Sequence, residues 1–273
     1  MTARSTARRG VILASLGAGA AAILPIVLVV LTGGMSPQQF ARSGVGLPAP
    51  WTTVNLEHLL ADPGTLVQPM LTTTAVVVIL VVTQTTSSLL AAYAFARLRF
   101  PARRVLFGLT LVGYLVPPVV TLLSVYVVFA QLGLAGSFLS LVLPFALASP
   151  FAVLLLRQWI ARLPAEMFDA AALDGAGHLA TIWRIVLPLS RPAIAAVVLA
   201  TAVSGWNSYL WPRLVAGVRL PQVQVALAAL QTQHQSNWTL VMAAAGLSLL
   251  PPLIGVAVFG RQLVAGVDLG VAR

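Results

Sequence analysis

Cysteine is absent from this 273-residue chain, so neither a disulfide nor a thiolate metal site is available to it. Lysine is absent as well: all 16 basic residues are arginine. A P-loop needs a lysine to reach the β- and γ-phosphates, so the chain carries no Walker-type nucleotide site of its own. Charged residues make up only 8% of the chain, and six of them are acidic: Glu57, Asp62, Glu166, Asp169, Asp174 and Asp268. All six lie outside the apolar runs, whereas a proton- or sodium-coupled carrier usually keeps an ionisable residue within the membrane. No set of His, Asp and Glu has metal-ligand spacing, and no nucleophile–base arrangement is apparent, so neither a metal site nor a catalytic site is expected.

What the chain has in abundance is apolar surface. Hydrophobic residues make up 59% of it, with a mean hydropathy of +0.96. That excludes an ordinary soluble domain and points to an all-α, polytopic helical membrane protein. Six apolar runs, near 11–33, 71–96, 105–130, 138–157, 190–211 and 239–260, are long enough to cross a hydrocarbon core of roughly 30 Å. The first follows Arg4, Arg8 and Arg9 like a signal-peptide start, but it exceeds the usual apolar stretch of about 7–15 residues and reads as a retained span. The net charge of +10 comes from arginines flanking these runs rather than from a basic patch, which argues against nucleic acid. Thirteen arginines fall on one side of a six-span arrangement. Arg42, Arg213 and Arg219 fall on the other, so both termini are expected in the cytoplasm. Prolines at 117–118, 144, 150 and 251–252 are expected to bend the third, fourth and sixth spans.

One polar stretch interrupts this pattern between the fourth and fifth runs, from Arg162 to His178. Pro164 suits a first helical position, and Glu166 and Asp169 then lie near the positive end of the helix dipole. Ala170, Ala171 and Ala172 favour helix and let another surface approach closely. Met167, Phe168 and Leu173 add apolar contact area, and Gly175 is a natural stop. A second helix is expected from about Leu179 to Leu187, with Pro188 opening the fifth span. By itself the stretch also fits an ordinary cytoplasmic loop with a short interfacial helix.

The spacing of Asp169, Ala170, Ala171, Gly175, Ile185, Leu187 and Pro188 resembles the cytoplasmic signature E-A-A-x3-G-x9-I-x-L-P of bacterial ABC importer permease subunits. Asp169 stands where glutamate is usual, one methylene shorter with the same charge. Ala92 to Pro101, Pro117-Pro118 with Thr121, Gln131 to Leu134, Leu143 to Phe145, Ser149 to Phe151, Leu156 to Gln158, Trp206 to Pro212 and Leu250 to Pro252 follow in the order of carbohydrate-type permeases. The whole is most similar to the smaller, six-span permease of maltose-type and glycerol-3-phosphate-type importers. The resemblance implies a type I ABC importer permease fold, one permease domain over 1–273, in a bacterial inner membrane. It makes the 164–178 helix a coupling helix, with Glu166, Asp169, Ala170, Ala171, Asp174, Gly175, Ile185, Leu187 and Pro188 facing or framing an ATPase contact. The implied partners are a second permease, two ATPase copies that bind the ATP and magnesium, and an extracytoplasmic solute-binding protein. No cofactor is implied in this chain.

Two polar groups are candidates for the solute pathway. Thr83 to Ser88 place six consecutive small polar residues in the second span, with Gln84 the foremost; they serve either interhelical hydrogen bonds or a polar path. Trp206, Asn207, Tyr209 and Trp211 gather near the outer end of the fifth span, as an interfacial belt or as a surface for sugar rings. Gln222, Gln224, Gln231, Gln233 and His234 follow in the 212–238 loop, which the resemblance places near the binding protein. A neutral sugar is favoured as solute, with glycerol phosphate, amino sugars and polyols as alternatives within the same architecture. A scaffold or sensor that recruits a cytoplasmic partner is the alternative of a different class.

Overall fold

The structure, a computed structural model, describes residues 2–217, 219–233 and 237–271. It is 78% helical, and no strand occurs among the described residues. The main helices are α1 (Thr2–Gly33), α2 (Val67–Arg97), α3 (Arg103–Leu115), α4 (Pro118–Gln131), α5 (Pro150–Ala161), α6 (Ala165–Leu173), α7 (His178–Leu189), α8 (Arg191–Trp206) and α9 (Trp238–Val271). The first, second, fifth and sixth apolar runs lie mainly on α1, α2, α8 and α9, the third on α3 with α4, and the fourth on Phe138–Phe145 with α5. Among the described residues, α2 and the Trp238–Gly260 part of α9 are long and apolar enough to cross a membrane unaided. Three further pairs qualify only if a bent pair counts as one span, and Gly17–Gly33 is a shorter apolar helix.

The bends have local causes. α3 and α4 meet at 99° across Val116 and Pro117, because two successive prolines deny the backbone two donors. Phe138–Phe145 and α5 meet at 41° beside Pro144 and Pro150. The sharp turn into the fifth run is not at Pro188, as the sequence suggested, but at Ser190, where α7 and α8 meet at 83°. Pro188 stays inside α7. A π-turn over Ile182–Val186, with the Leu187 N–H donating to Ile182 O, carries the helix up to the residue that has no donor. Pro251 and Pro252 likewise lie inside α9.

Two compact units are distinguished, Met1–Met70 with Ala226–Leu250, and Leu71–Val225 with Pro251–Arg273. The first is organised by a buried amide. Asn55 donates to Gly33 O (2.9 Å) and Met35 O (2.8 Å) and accepts from the Thr239 hydroxyl (3.2 Å). Gly33 is required here, since a Cβ on it would meet the Ala243 backbone at 2.9 Å. The second unit has two apolar clusters. Val76, Leu80, Leu141, Val142, Trp211 and Val215 form one, in which the Trp211 indole donates to Ser140 O (2.9 Å) between the edge-on rings of Phe129 and Phe145. The other joins Tyr93, Leu156, Ile160, Ile182, Val186 and Val197, and so binds α2, α5, α7 and α8 together.

Candidate functional site

The polar stretch folds into a hairpin of α6 and α7. Pro164 is the residue before α6 rather than its first helical position, which leaves Glu166 in the first turn. Gly175 ends the helix with φ +71°, a conformation that suits glycine. Its N–H donates to Ala172 O (3.1 Å) and that of Ala176 to Ala171 O (2.9 Å), the paired bonds of a Schellman cap. Gly177 then opens α7.

The hairpin has two faces. Glu166, Asp169, Ala170, Asp174 and Gly175 are exposed. Ala171 is buried, and Ile185, Leu187 and Pro188 are half-buried. Leu173 is 89% exposed, Leu179 68% and Trp183 66%; a helical hairpin that leaves such side chains uncovered has the character of an interaction surface. Leu179 and Trp183 were not singled out in the sequence, and only the fold of α7 shows that they point outward. Phe168 departs from expectation in the opposite sense: it turns inward, with the Arg97 guanidinium 4.0 Å over its ring. Arg97 also donates to Ile160 O (2.8 Å) in the last turn of α5 and to Leu163 O in the turn that follows it. One turn earlier on α2, the buried Tyr93 hydroxyl shares a hydrogen bond with His178 Nδ1 (3.1 Å) at the start of α7. The Trp159 indole donates to Leu189 O (3.0 Å) at its end. The hairpin is thus tied at three points to the helices behind it.

The second candidate region lies in the same unit. Gln84 uses both ends of its amide between helices: Nε2 donates to Phe145 O (2.6 Å) and Oε1 accepts from the Thr201 hydroxyl (3.3 Å). It also lines a cavity of about 110 Å³ with Ser204, Ser208, Trp211 and Gln222. Thr83 and Ser87 donate back to carbonyls of their own helix, and Ser88 accepts the Ser149 N–H. A larger groove of about 580 Å³ is lined by Thr121, Ser204, Asn207, Ser208 and Tyr209 with apolar neighbours. Its polar lining is hydroxyls and an amide, with no charged side chain. Asn207 donates to Val203 O and accepts from Gln224. Trp206 does not fit the expected belt or stacking surface, since it is buried; Trp211 is mostly buried too, with part of its ring lining both the cavity and the groove. Gln222 is buried too, while Gln231 and Gln233 are exposed; His234 lies outside the described residues.

Bent apolar helices beside a polar groove, with a capped hairpin whose outer side chains are uncovered, define a helical membrane protein. The chain belongs to the family of binding-protein-dependent transport system inner membrane components, whose model matches residues 84–268. It is 37% identical over 183 residues to the sn-glycerol-3-phosphate transport system permease protein UgpE of Yersinia pestis bv. Antiqua (strain Antiqua). That match takes in 65% of this chain and 64% of the relative's own length. It is 26% identical over 253 residues to the arabinooligosaccharides transport system permease protein AraQ of Halalkalibacterium halodurans, across 91% of this chain and 90% of that one. Among solved structures, a chain from a bacterial ABC transporter involved in the import of the acidic polysaccharide alginate superposes with a TM-score of 0.79 at 25% identity. The superposition spans 94% of this chain and 97% of the other. The fold is therefore the ABC importer permease fold, and the protein is a membrane protein.

Proposed function

We propose that the chain, acting as one six-span permease domain over 1–273, is the membrane subunit of an ATP-driven importer for a sugar or sugar-like solute. Its termini face the cytoplasm. A second permease completes the pathway, two ATPase subunits bind the ATP and magnesium, and an extracytoplasmic binding protein delivers the solute. The observation that carries the reading is the α6–α7 hairpin, a rigidly capped projection with Leu173, Leu179 and Trp183 uncovered, in a chain that has no lysine for a P-loop. Closure of the ATPases would displace the hairpin as a body, and the bent helices behind it would rock between outward and inward access. The uncharged lining of the groove beside Asn207 and Tyr209 favours a neutral, hydroxyl-rich solute.

Glycerol phosphate is a second reading, favoured by the 37% identity to UgpE. The deciding experiment reconstitutes the complex in proteoliposomes and measures ATP hydrolysis and uptake with the binding protein presented with a panel of sugars, polyols and glycerol phosphate. Stimulation by a neutral sugar and not by glycerol phosphate is expected. A complex that isolates without ATPase subunits, or hydrolysis indifferent to every loaded binding protein, sinks the importer reading in favour of a scaffold.

A further inference from the structure

α2 carries both Gln84, which lines the polar cavity of about 110 Å³, and ties to the hairpin. Gln84 lies thirteen residues before Arg97, about 20 Å along the helix axis. At the Arg97 end, α5, the turn after it and α6 converge on one guanidinium, through Ile160 O, Leu163 O and the Phe168 ring. Tyr93 holds the start of α7 from the same face of the same helix. At the other end, the Gln84 amide is hydrogen-bonded to Phe145 O and to Thr201 on α8. A rotation of the hairpin therefore cannot leave α2 in place without breaking the Arg97–Phe168 cation–π contact and the Tyr93–His178 bond together, while two charge-assisted hydrogen bonds hold the same guanidinium to the end of α5. The three Arg97 contacts are of the stronger polar classes, and the planar fork of arginine is what lets one side chain make all of them.

We infer that Arg97 is a positioning residue that locks the coupling hairpin to α2, so that hairpin motion reaches the polar cavity around Gln84 through this helix; the inference rests on the importer reading above. Arg97 touches neither the solute groove nor the exposed face of the hairpin. Its effect is on transmission, and it leaves solute and ATPase contacts in place.

The natural absence of cysteine makes a direct test practical. A nitroxide on Leu173→Cys, in the full chain in lipid nanodiscs, reports how firmly α6 is held. Arg97→Gln and Phe168→Leu should each raise the mobility of that label, and Arg97→Lys should raise it less, because it keeps the charge without the planar face. Combining Arg97→Gln with Phe168→Leu should add little to the first alone, since both remove the same contact. In the reconstituted complex without the label, solute imported per ATP hydrolysed should fall about tenfold in Arg97→Gln while the ATPase subunits stay bound. Should that variant fail to fold, Arg97→Lys and Phe168→Leu carry the same two readouts. An unchanged label spectrum overturns the proposal, and so does a raised mobility with undiminished import per ATP. A wild-type complex without solute-stimulated hydrolysis would instead overturn the importer reading, and the label spectra would still decide whether Arg97 holds the hairpin.

Discussion

Single atoms decide more here than residue type suggests. Gly175 is needed for its positive φ and for its N–H, which caps Ala172 O. Gly175→Ala should cost about 1 kcal/mol of local stability through the left-handed conformation alone. Gly175→Pro removes the donor as well and fixes φ on the wrong side. It should leave membrane insertion intact while abolishing solute-stimulated ATP hydrolysis and uptake in the reconstituted complex; normal values would show that the hairpin does not transmit. Asn55 is a comparable case in the other unit. Asn55→Ala strands the carbonyls of Gly33 and Met35 and the Thr239 hydroxyl, at a cost of about 1–3 kcal/mol, readable as a lower midpoint of thermal unfolding in detergent. Gly175 was legible in the sequence because a glycine after an alanine run has a local meaning. Asn55 was not, since its partners are 20, 22 and 184 residues away.

Elements were readable where their cause is local. The Pro117-Pro118 pair announces a break, and the chain turns there by 99°. Pro188 announces one too, yet α7 runs through it, because the π-turn over Ile182–Val186 precedes it. The actual break at Ser190 has no sequence signal beyond a small residue. Ser190 is fully buried at the 83° bend, so Ser190→Leu should overpack it and cost about 1–3 kcal/mol, lowering the unfolding midpoint. Pro188→Ala should leave the same midpoint nearly unchanged. A large drop for Pro188→Ala with none for Ser190→Leu would return the bend to the proline. The amphipathic division of the hairpin belongs to this scale as well: Phe168 and Leu173 look alike as sequence, and only the register of α6 sends one under Arg97 and the other outward.

At the level of the molecule, the groove beside Asn207 and Tyr209 presents hydroxyls and an amide without charge. Asn207→Leu and Tyr209→Ala should each slow uptake several-fold, up to about tenfold for a lost hydrogen bond, while basal ATP hydrolysis by the complex is unchanged. Unchanged uptake would move the solute path to the partner permease. Trp206→Phe should have no such effect, because Trp206 is buried away from the groove. Composition and spacing by themselves determined the membrane class, the helical architecture and the position of the hairpin. Each of these follows from hydropathy or from neighbours within one or two helical turns. Only the tertiary structure decided that Trp206 and Trp211 are buried, that Gln84 is shared between helices, and that Arg97 joins three elements at one point. Those depend on contacts between residues 60 or more positions apart, which no local pattern encodes.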